Sequence, residues 1–456
     1  MLLLTAGLLF ALFLASYFIF DKDVFAPPTL VSLVLLFGAF CTLYNEKRWA
    51  LEFSAETMET VVSGVGVFLL GGLLALLLYS LWHPGSGGLS RSVSPVGAIV
   101  IEKYKLWLVV AFELMTLFLL YRQLRAFVGT NVPLQKVVSE YRKQITLDPE
   151  DVAMRFPFLL RQCLSVCFSF AFFFVYVLGN NMAAKQKGLL LYALPVGLYL
   201  LMSFLQGYRG DMMRIWVSWL VSFYTVKKRA VGWRRTRETK KLMRTFALTV
   251  LIIGVLFVLL RTFVGRTGKA TEWDPLYYVT FYAGSPLAAL DLFIKRPGSR
   301  SSVWAKETFY YLNKSLGAWL NKPELQFAFP KEFRRSPNGT VIGNVYTALR
   351  APYKDFGFVG MLIFLFIVGI FFTWLYCRVR RKHANRPVDF FLLVYSYVVY
   401  TCFMFFYNNY YFFVATSFIK TLLIWAVSRW FFTELHIRWT GFSSRTCVMQ
   451  TPDLET

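Results

Sequence analysis

Residues 357–381 read GFVGMLIFLFIVGIFFTWLYCRVRR, with no charge from Gly357 to Cys377 and then Arg378, Arg380 and Arg381. A helix rises about 1.5 Å per residue, so roughly twenty apolar residues match a hydrocarbon core about 30 Å thick. The run reads as a membrane span ending on its cytoplasmic side, where basic residues collect in short connections. Runs of the same kind recur at 2–20, 28–44, 58–82, 105–122, 156–178, 188–206, 211–226, 243–263, 388–407 and 411–432. With 357–377 they make about eleven spans, and the expectation is an all-α polytopic transmembrane protein. Composition agrees: 57% hydrophobic and 16% charged residues over 456, with mean hydropathy +0.51, leave too little polar side chain to coat a water-soluble surface. The first run has neither a basic leader nor a small-residue cleavage site before Asp21-Lys22, so it reads as a span and not as a secretory signal.

Orientation follows from the short loops. The connection 227–244 carries nine Lys and Arg against Glu238 alone, and 378–386 carries five with no acid. Both are expected inside, two spans apart, which puts the long segment 265–356 outside. Counting back places Lys185 and Lys187 inside, and the Gly207-Tyr208-Arg209-Gly210 turn, the segment 123–155 and the N-terminus outside. The chain then divides into helices over 1–264, a large outer loop over 265–356, helices over 357–432 and an inner tail over 433–456. The parity turns on the span 211–226, which is short and carries Arg214; a re-entrant segment there inverts the N-terminal half.

The net charge of +24 exceeds what orientation explains. The loop 265–356 holds thirteen Lys and Arg against seven acids, and Arg122, Arg125, Lys136, Arg142 and Lys143 add to the same side. Such a surface suits an anion: a diphosphate, an acidic glycan or anionic lipid head groups. Nothing resembles a groove-reading motif, and nucleic acid is not an expected partner. The loop is also rich in aromatics, among them Trp273, Tyr277, Tyr278, Phe281, Trp304 and Trp319, which flexible linkers lack. Within it, 276–294 has the spacing of an amphipathic helix, with Asp274 as N-cap and Pro275 in the first turn. Aromatics at a membrane surface anchor in the interface or stack on sugar rings.

Ionisable residues near or within spans are the candidate working groups. Arg161, Arg209 and Arg214 are expected to approach one membrane level at the outer side, where a planar guanidinium fork suits phosphate oxygens. Snorkelling, or pairing of Asp211 with Arg214 one helical turn away, is the alternative. Deeper in the membrane, Glu113 and Lys420 are expected to meet as a pair. The run Asp148-Pro149-Glu150-Asp151 has the signature of a helix N-terminus. No Asp-x-Asp pair occurs in an outer segment, so no metal site is expected, and no cofactor. His83, His383 and His436 all fall inside, which leaves a carboxylate as any outer general base, with Asp291 and Asp355 nearest the membrane. Of six cysteines none lies in 265–356, so no disulfide framework is expected; Cys163 and Cys167, four apart with no His or acid beside them, read as small core residues.

Gly343-Asn344-Val345-Tyr346-Thr347, then Tyr353-Lys354-Asp355-Phe356-Gly357, then Gly360 opening a span, resemble the end of the large outer loop in bacterial oligosaccharide repeat-unit polymerases of the Wzy type. Tyr282-Ala283-Gly284-Ser285-Pro286 with Asp291, Arg209-Gly210 ahead of a span and a basic loop near Trp233, Phe25-Ala26-Pro27-Pro28, and Asn45 to Trp49 fit the same layout in order. The resemblance implies a GT-C-like membrane glycosyltransferase in the bacterial cytoplasmic membrane. Its donor is a growing glycan on undecaprenyl pyrophosphate, and its acceptor is the non-reducing end of a lipid-linked repeat unit, joined with inversion and without metal. On that reading Asp291 or Asp355 is the catalytic base, and Arg209, Arg161, Arg214 and Arg350, with Asn344 and Tyr346, bind diphosphate and glycan. A chain-length regulator and a flippase are the expected neighbours. Other readings stay open: an O-antigen or teichoic-type glycan ligase, although the outer histidine of O-antigen ligases is absent, and a flippase or transporter, although no internal repeat is evident.

Overall fold

The computed structural model describes residues 1–83, 96–128, 132–147, 156–233, 244, 274–298, 303–325, 332–381, 388–409 and 415–433. Apart from Arg244, the expected span 243–263 lies outside them, as do Asp148–Asp151 and the tail beyond residue 433. Nearly everything described is helix: α1 Leu2–Ile19, α2 Pro27–Trp49, α3 Ala55–Trp82, α4 Lys103–Val128, α5 Leu134–Leu147, α6 Phe158–Ala183, α7 Leu189–Leu205 and α8 Arg209–Ala230. After these come α9 Pro275–Lys295, α10 Tyr310–Trp319, α11 Arg350–Arg380, α12 Phe390–Val398, α13 Tyr400–Phe403 and α14 Ala415–Phe432. A small antiparallel hairpin, β1 Arg334–Arg335 and β2 Val341–Gly343, precedes α11. Among the described residues, six helices are long and apolar enough to cross a membrane: α1, α2, α3, α4, α6 and α11.

Local chemistry sets the helix ends. Pro27 and Pro28 open α2, where missing N–H groups cost nothing. Ser54 caps α3 by accepting from the Thr57 amide, and Asp389 caps α12 through the Leu392 amide. Asp274 caps α9 by accepting from the Leu276 and Tyr277 amides, with Pro275 first in the helix, as the spacing predicts. Inside α11, Gly357 has φ 72°, so the first two turns are offset from the apolar run that follows. The expected span 388–407 is broken into α12 and α13, and the chain then turns through 404–409.

The broadest helix contact is α3 against α11. The two run parallel, since Gly64 faces Leu365 while Gly72 faces Thr373. Glycines let the backbones approach, as small residues do between helices in lipid. A Cβ on Gly71 falls 2.2 Å from the Phe366 carbonyl oxygen, and one on Gly369 falls 2.3 Å from that of Phe68. A second close crossing joins α2 to α9, where a Cβ on Gly284 falls 2.7 Å from the Cys41 backbone and Thr42 Oγ1 donates to the Gly284 carbonyl at 2.9 Å. The helix expected as an amphipathic part of the outer loop is thus sunk into the bundle. Tyr277, Tyr278 and Phe281 are buried, because helix α2 and not water meets their faces.

The two ends of the bundle differ. At one, Arg229 on α8 reaches Asp389 at 2.6 Å and the Val379 carbonyl, and Arg380 on α11 reaches Asp21 at 3.1 Å. This basic end gathers the end of α8, the end of α11 and the α1–α2 turn. At the other, the start of α3, the end of α9, the hairpin and the start of α11 meet in what is here called the rim. Cysteines replacing Arg335 at the rim and Arg381 at the basic end should label oppositely with an impermeant thiol reagent in intact cells, Arg335→Cys reacting and Arg381→Cys not. Equal labelling would overturn the assignment of these ends to opposite faces.

Candidate functional site

The rim holds the densest set of candidate side chains. Tyr346, fully buried behind the hairpin, donates its hydroxyl to the Glu332 carbonyl at 2.7 Å and packs on Phe293 of α9. Arg350 lies over both rings, 4.3 Å from the Tyr346 centroid and 4.9 Å from that of Phe293. Its guanidinium meets Glu307 at 2.5 Å, and Lys354 meets the other Glu307 oxygen at 2.8 Å. One carboxylate thus holds two cations on successive turns of α11, an arrangement that offsets the cost of burying Arg350 and Glu307. Asn344 is half-buried just after β2, two residues before Tyr346.

Asp355 sits beside this group, on the last turn before the Gly357 break. It accepts from the Glu307 amide at 3.0 Å and the Thr308 amide at 2.6 Å, so it fixes the chain that carries Glu307. Burial pushes its carboxyl above the ordinary aspartate range, against the opposing pull of those donors. A half-buried carboxyl with raised pKa is better suited to take a proton than a free one. Asp291 is placed differently. It is fully buried, and its Oδ1 accepts from the Ser54 amide and hydroxyl at 2.8 Å each and from Thr57 Oγ1 at 2.9 Å, while Oδ2 lies 2.9 Å from Lys295 Nζ. Asp291 therefore rivets α9 onto the cap of α3. Of the two candidate bases, Asp355 is the one with an accessible edge.

Further cations line the rim: Arg48 lies 3.5 Å from the Tyr277 centroid, and Arg334 meets Glu332 at 2.5 Å. Arg161 and Arg214, expected with Arg209 to approach one membrane level, have neighbours of their own. Arg214 pairs with Asp211 at 3.7 Å and lies 5.2 Å and 5.0 Å from the Tyr397 and Tyr400 rings. Tyr397 in turn packs on Phe168 and Phe172 of α6, seven and eleven residues past Arg161. At about 1.5 Å per residue Phe168 lies ~10 Å past Arg161 along α6. Arg161 is exposed one turn into α6, beside Phe158. The backbone of Arg209 opens α8.

Glu113 and Lys420 do not meet either. Lys420 Nζ lies 4.4 Å from the Phe168 centroid, and both oxygens of the fully buried Glu113 lack a hydrogen-bond partner. Lys420 is engaged with a ring face, and the Glu113 carboxyl is buried without a polar partner. Glu113→Leu should therefore stabilise the purified protein by ~1–3 kcal/mol, the usual cost of a buried unpaired polar group. A lower denaturation midpoint for the variant than for the parent would refute this.

Sequence reasoning missed the polar network at the basic end. Asp23, almost fully buried, accepts from Tyr224 at 2.6 Å, Tyr376 at 2.5 Å and the Phe25 amide at 2.9 Å. Arg380 donates to Tyr376 at 3.2 Å and lies 4.2 Å from the Trp233 ring. The signal was there in Asp21 and Asp23, two acids in a turn on the side where bases are expected.

Among the described residues no three His, Cys, Asp or Glu side chains converge as a metal site would need. No family model, curated protein or solved structure matches this chain.

Proposed function

We propose that this chain is a GT-C-like membrane glycosyltransferase that polymerises lipid-carried oligosaccharides. It transfers a growing glycan from undecaprenyl pyrophosphate to the non-reducing end of a lipid-linked repeat unit, with its rim facing out of a bacterial cytoplasmic membrane. The observation that supports this reading is the position of Asp355: a half-buried carboxyl of raised pKa, adjacent to Lys354 and beside Arg350, immediately before the Gly357 break that opens an apolar span. A substrate whose reactive carbon is tied through a diphosphate to a hydrocarbon chain presents that bond at this level.

In this reading Asp355 takes the proton of the attacking acceptor hydroxyl. The hydroxyl oxygen bonds to the anomeric carbon as the carbon–oxygen bond to the diphosphate breaks, which inverts the centre. Rim cations stabilise the charge that gathers on the leaving diphosphate. Arg350, locked onto Glu307, chiefly positions the carboxylate and Lys354, while Lys354, Arg334 and Arg48 are the more accessible cations. Purified protein given defined lipid-linked repeat units, with no divalent ion, is expected to yield a ladder of glycan lengths. Transfer of a single glycan to a different acceptor would favour a ligase, and movement of the lipid across the bilayer without transfer would favour a flippase; either overturns the polymerase reading.

A further inference from the structure

The segment 303–325 brings exposed aromatic side chains against the apolar run of α11. Asp355 pins its first half through the Glu307 and Thr308 amides, and Asn313 Nδ2 ties α10 back to the Trp304 carbonyl at 3.0 Å. Held in this way, Trp304 stacks on Phe309 with ring centroids 5.5 Å apart and meets Phe356 at 5.9 Å, while Phe309 meets Phe364 at 5.9 Å. Phe364 lies seven residues past Gly357, roughly 10 Å along the span at the usual helical rise. The Phe364 ring in turn lies 6.2 Å from that of Phe356, so Trp304, Phe309, Phe356 and Phe364 form one ring cluster at the start of the apolar run.

The neighbouring face of α11 fixes what surrounds these rings. Val359, Ile363 and Ile367 recur four apart and are 66%, 58% and 53% exposed, one stripe of a helix apolar enough to span a bilayer. That stripe faces acyl chains, because water has no access to it in a membrane. Phe364 follows Ile363 directly, so the Phe309–Trp304 stack adjoins the lipid-covered stripe. Trp304 is 68% exposed and Trp319 81%, with Leu316 and Leu320 also open on α10 and the turn after it. Lys306, Lys314 and Lys322 share the segment. Tryptophan with lysine at this depth is the composition of an interfacial anchor, rings in the boundary and ammonium groups at the phosphates.

We infer that residues 303–325 are embedded in the leaflet on the rim side, with Trp304 and Trp319 among the outer ends of the lipid acyl chains. The segment is then a lipid-borne clamp: through Glu307 and Asp355 it ties Arg350 and Lys354 to the membrane surface. The inference does not depend on the polymerase reading.

The test uses the full chain, free of native cysteines, reconstituted in vesicles of phosphatidylcholine and phosphatidylglycerol. Nitroxide labels are attached to Trp304→Cys, Trp319→Cys, Ile363→Cys and Arg335→Cys, and collision with oxygen is compared with collision with a water-soluble nickel chelate. Labels at 304 and 319 should favour oxygen severalfold, as the one at 363 does, while the label at 335 favours nickel. Chelate access at 304 or at 319 equal to that at 335 overturns the embedding. Thermal midpoints of the four labelled proteins identify any that has lost its fold, and Trp304→Phe and Trp319→Phe, read by quenching with brominated lipids as the lost fraction of the parent signal, give the same answer without a label.

Discussion

Asp355→Asn is expected to lower turnover per folded protein roughly 10²-fold or more while binding of lipid-linked substrate is kept, the usual scale for loss of a general base. Asn keeps an oxygen that accepts from the Glu307 and Thr308 amides, so the segment 303–325 stays attached; what it loses is the capacity to take a proton. The parent should also show a pH dependence that Asp355→Asn lacks. Because burial raises the carboxyl, turnover is full above its pKa and falls as pH drops through it, at a pH above the ordinary aspartate range. Asp291→Asn is the control: it sits among Ser54, Thr57 and Lys295, so its damage should appear as lost yield and a lower thermal midpoint. Near-parental turnover for folded Asp355→Asn, with the acid limb intact, would remove Asp355 from the reaction.

The other large effect is mechanical. Gly71→Leu and Gly369→Leu should each prevent recovery of folded, monodisperse protein, because even a Cβ at these positions overlaps a backbone oxygen of the facing helix. Overpacking commonly costs ~1–3 kcal/mol when side chains can shift, and more when the obstacle is backbone. Gly66→Leu, on the same helix with open space at its Cβ, should be recovered normally. Recovery of Gly71→Leu with a parental midpoint in detergent would show that α3 and α11 are not in this contact.

Hydropathy made the helices legible because the cost of burying peptide groups in lipid is read from composition alone: the runs at 2–20, 58–82 and 357–377 correspond closely to α1, α3 and the body of α11. Local capping chemistry was equally readable, as Asp274-Pro275 demonstrates. What the sequence withheld was pairing across distance. Nothing near Glu307 announces that it will hold Arg350 and Lys354, more than forty residues later. The burial of α9 was hidden for the same reason: apolar residues on one face say that something covers them and not that α2 does. The ring partners of Arg214 were hidden too, because contacts within a span depend on how neighbouring helices slide past one another, and period and composition are blind to sliding.

The buried Asp23 has a consequence for how the chain is made. Its three donors come from residues 25, 224 and 376, so two of them do not exist when the first pair of helices leaves the ribosome. Until Tyr224 and Tyr376 are synthesised, the Phe25 amide is the one of these three donors within reach of Asp23, and water must supply the rest. A chain truncated before α11 therefore lacks the Tyr376 donor and leaves Asp23 with the Tyr224 hydroxyl and the Phe25 amide alone.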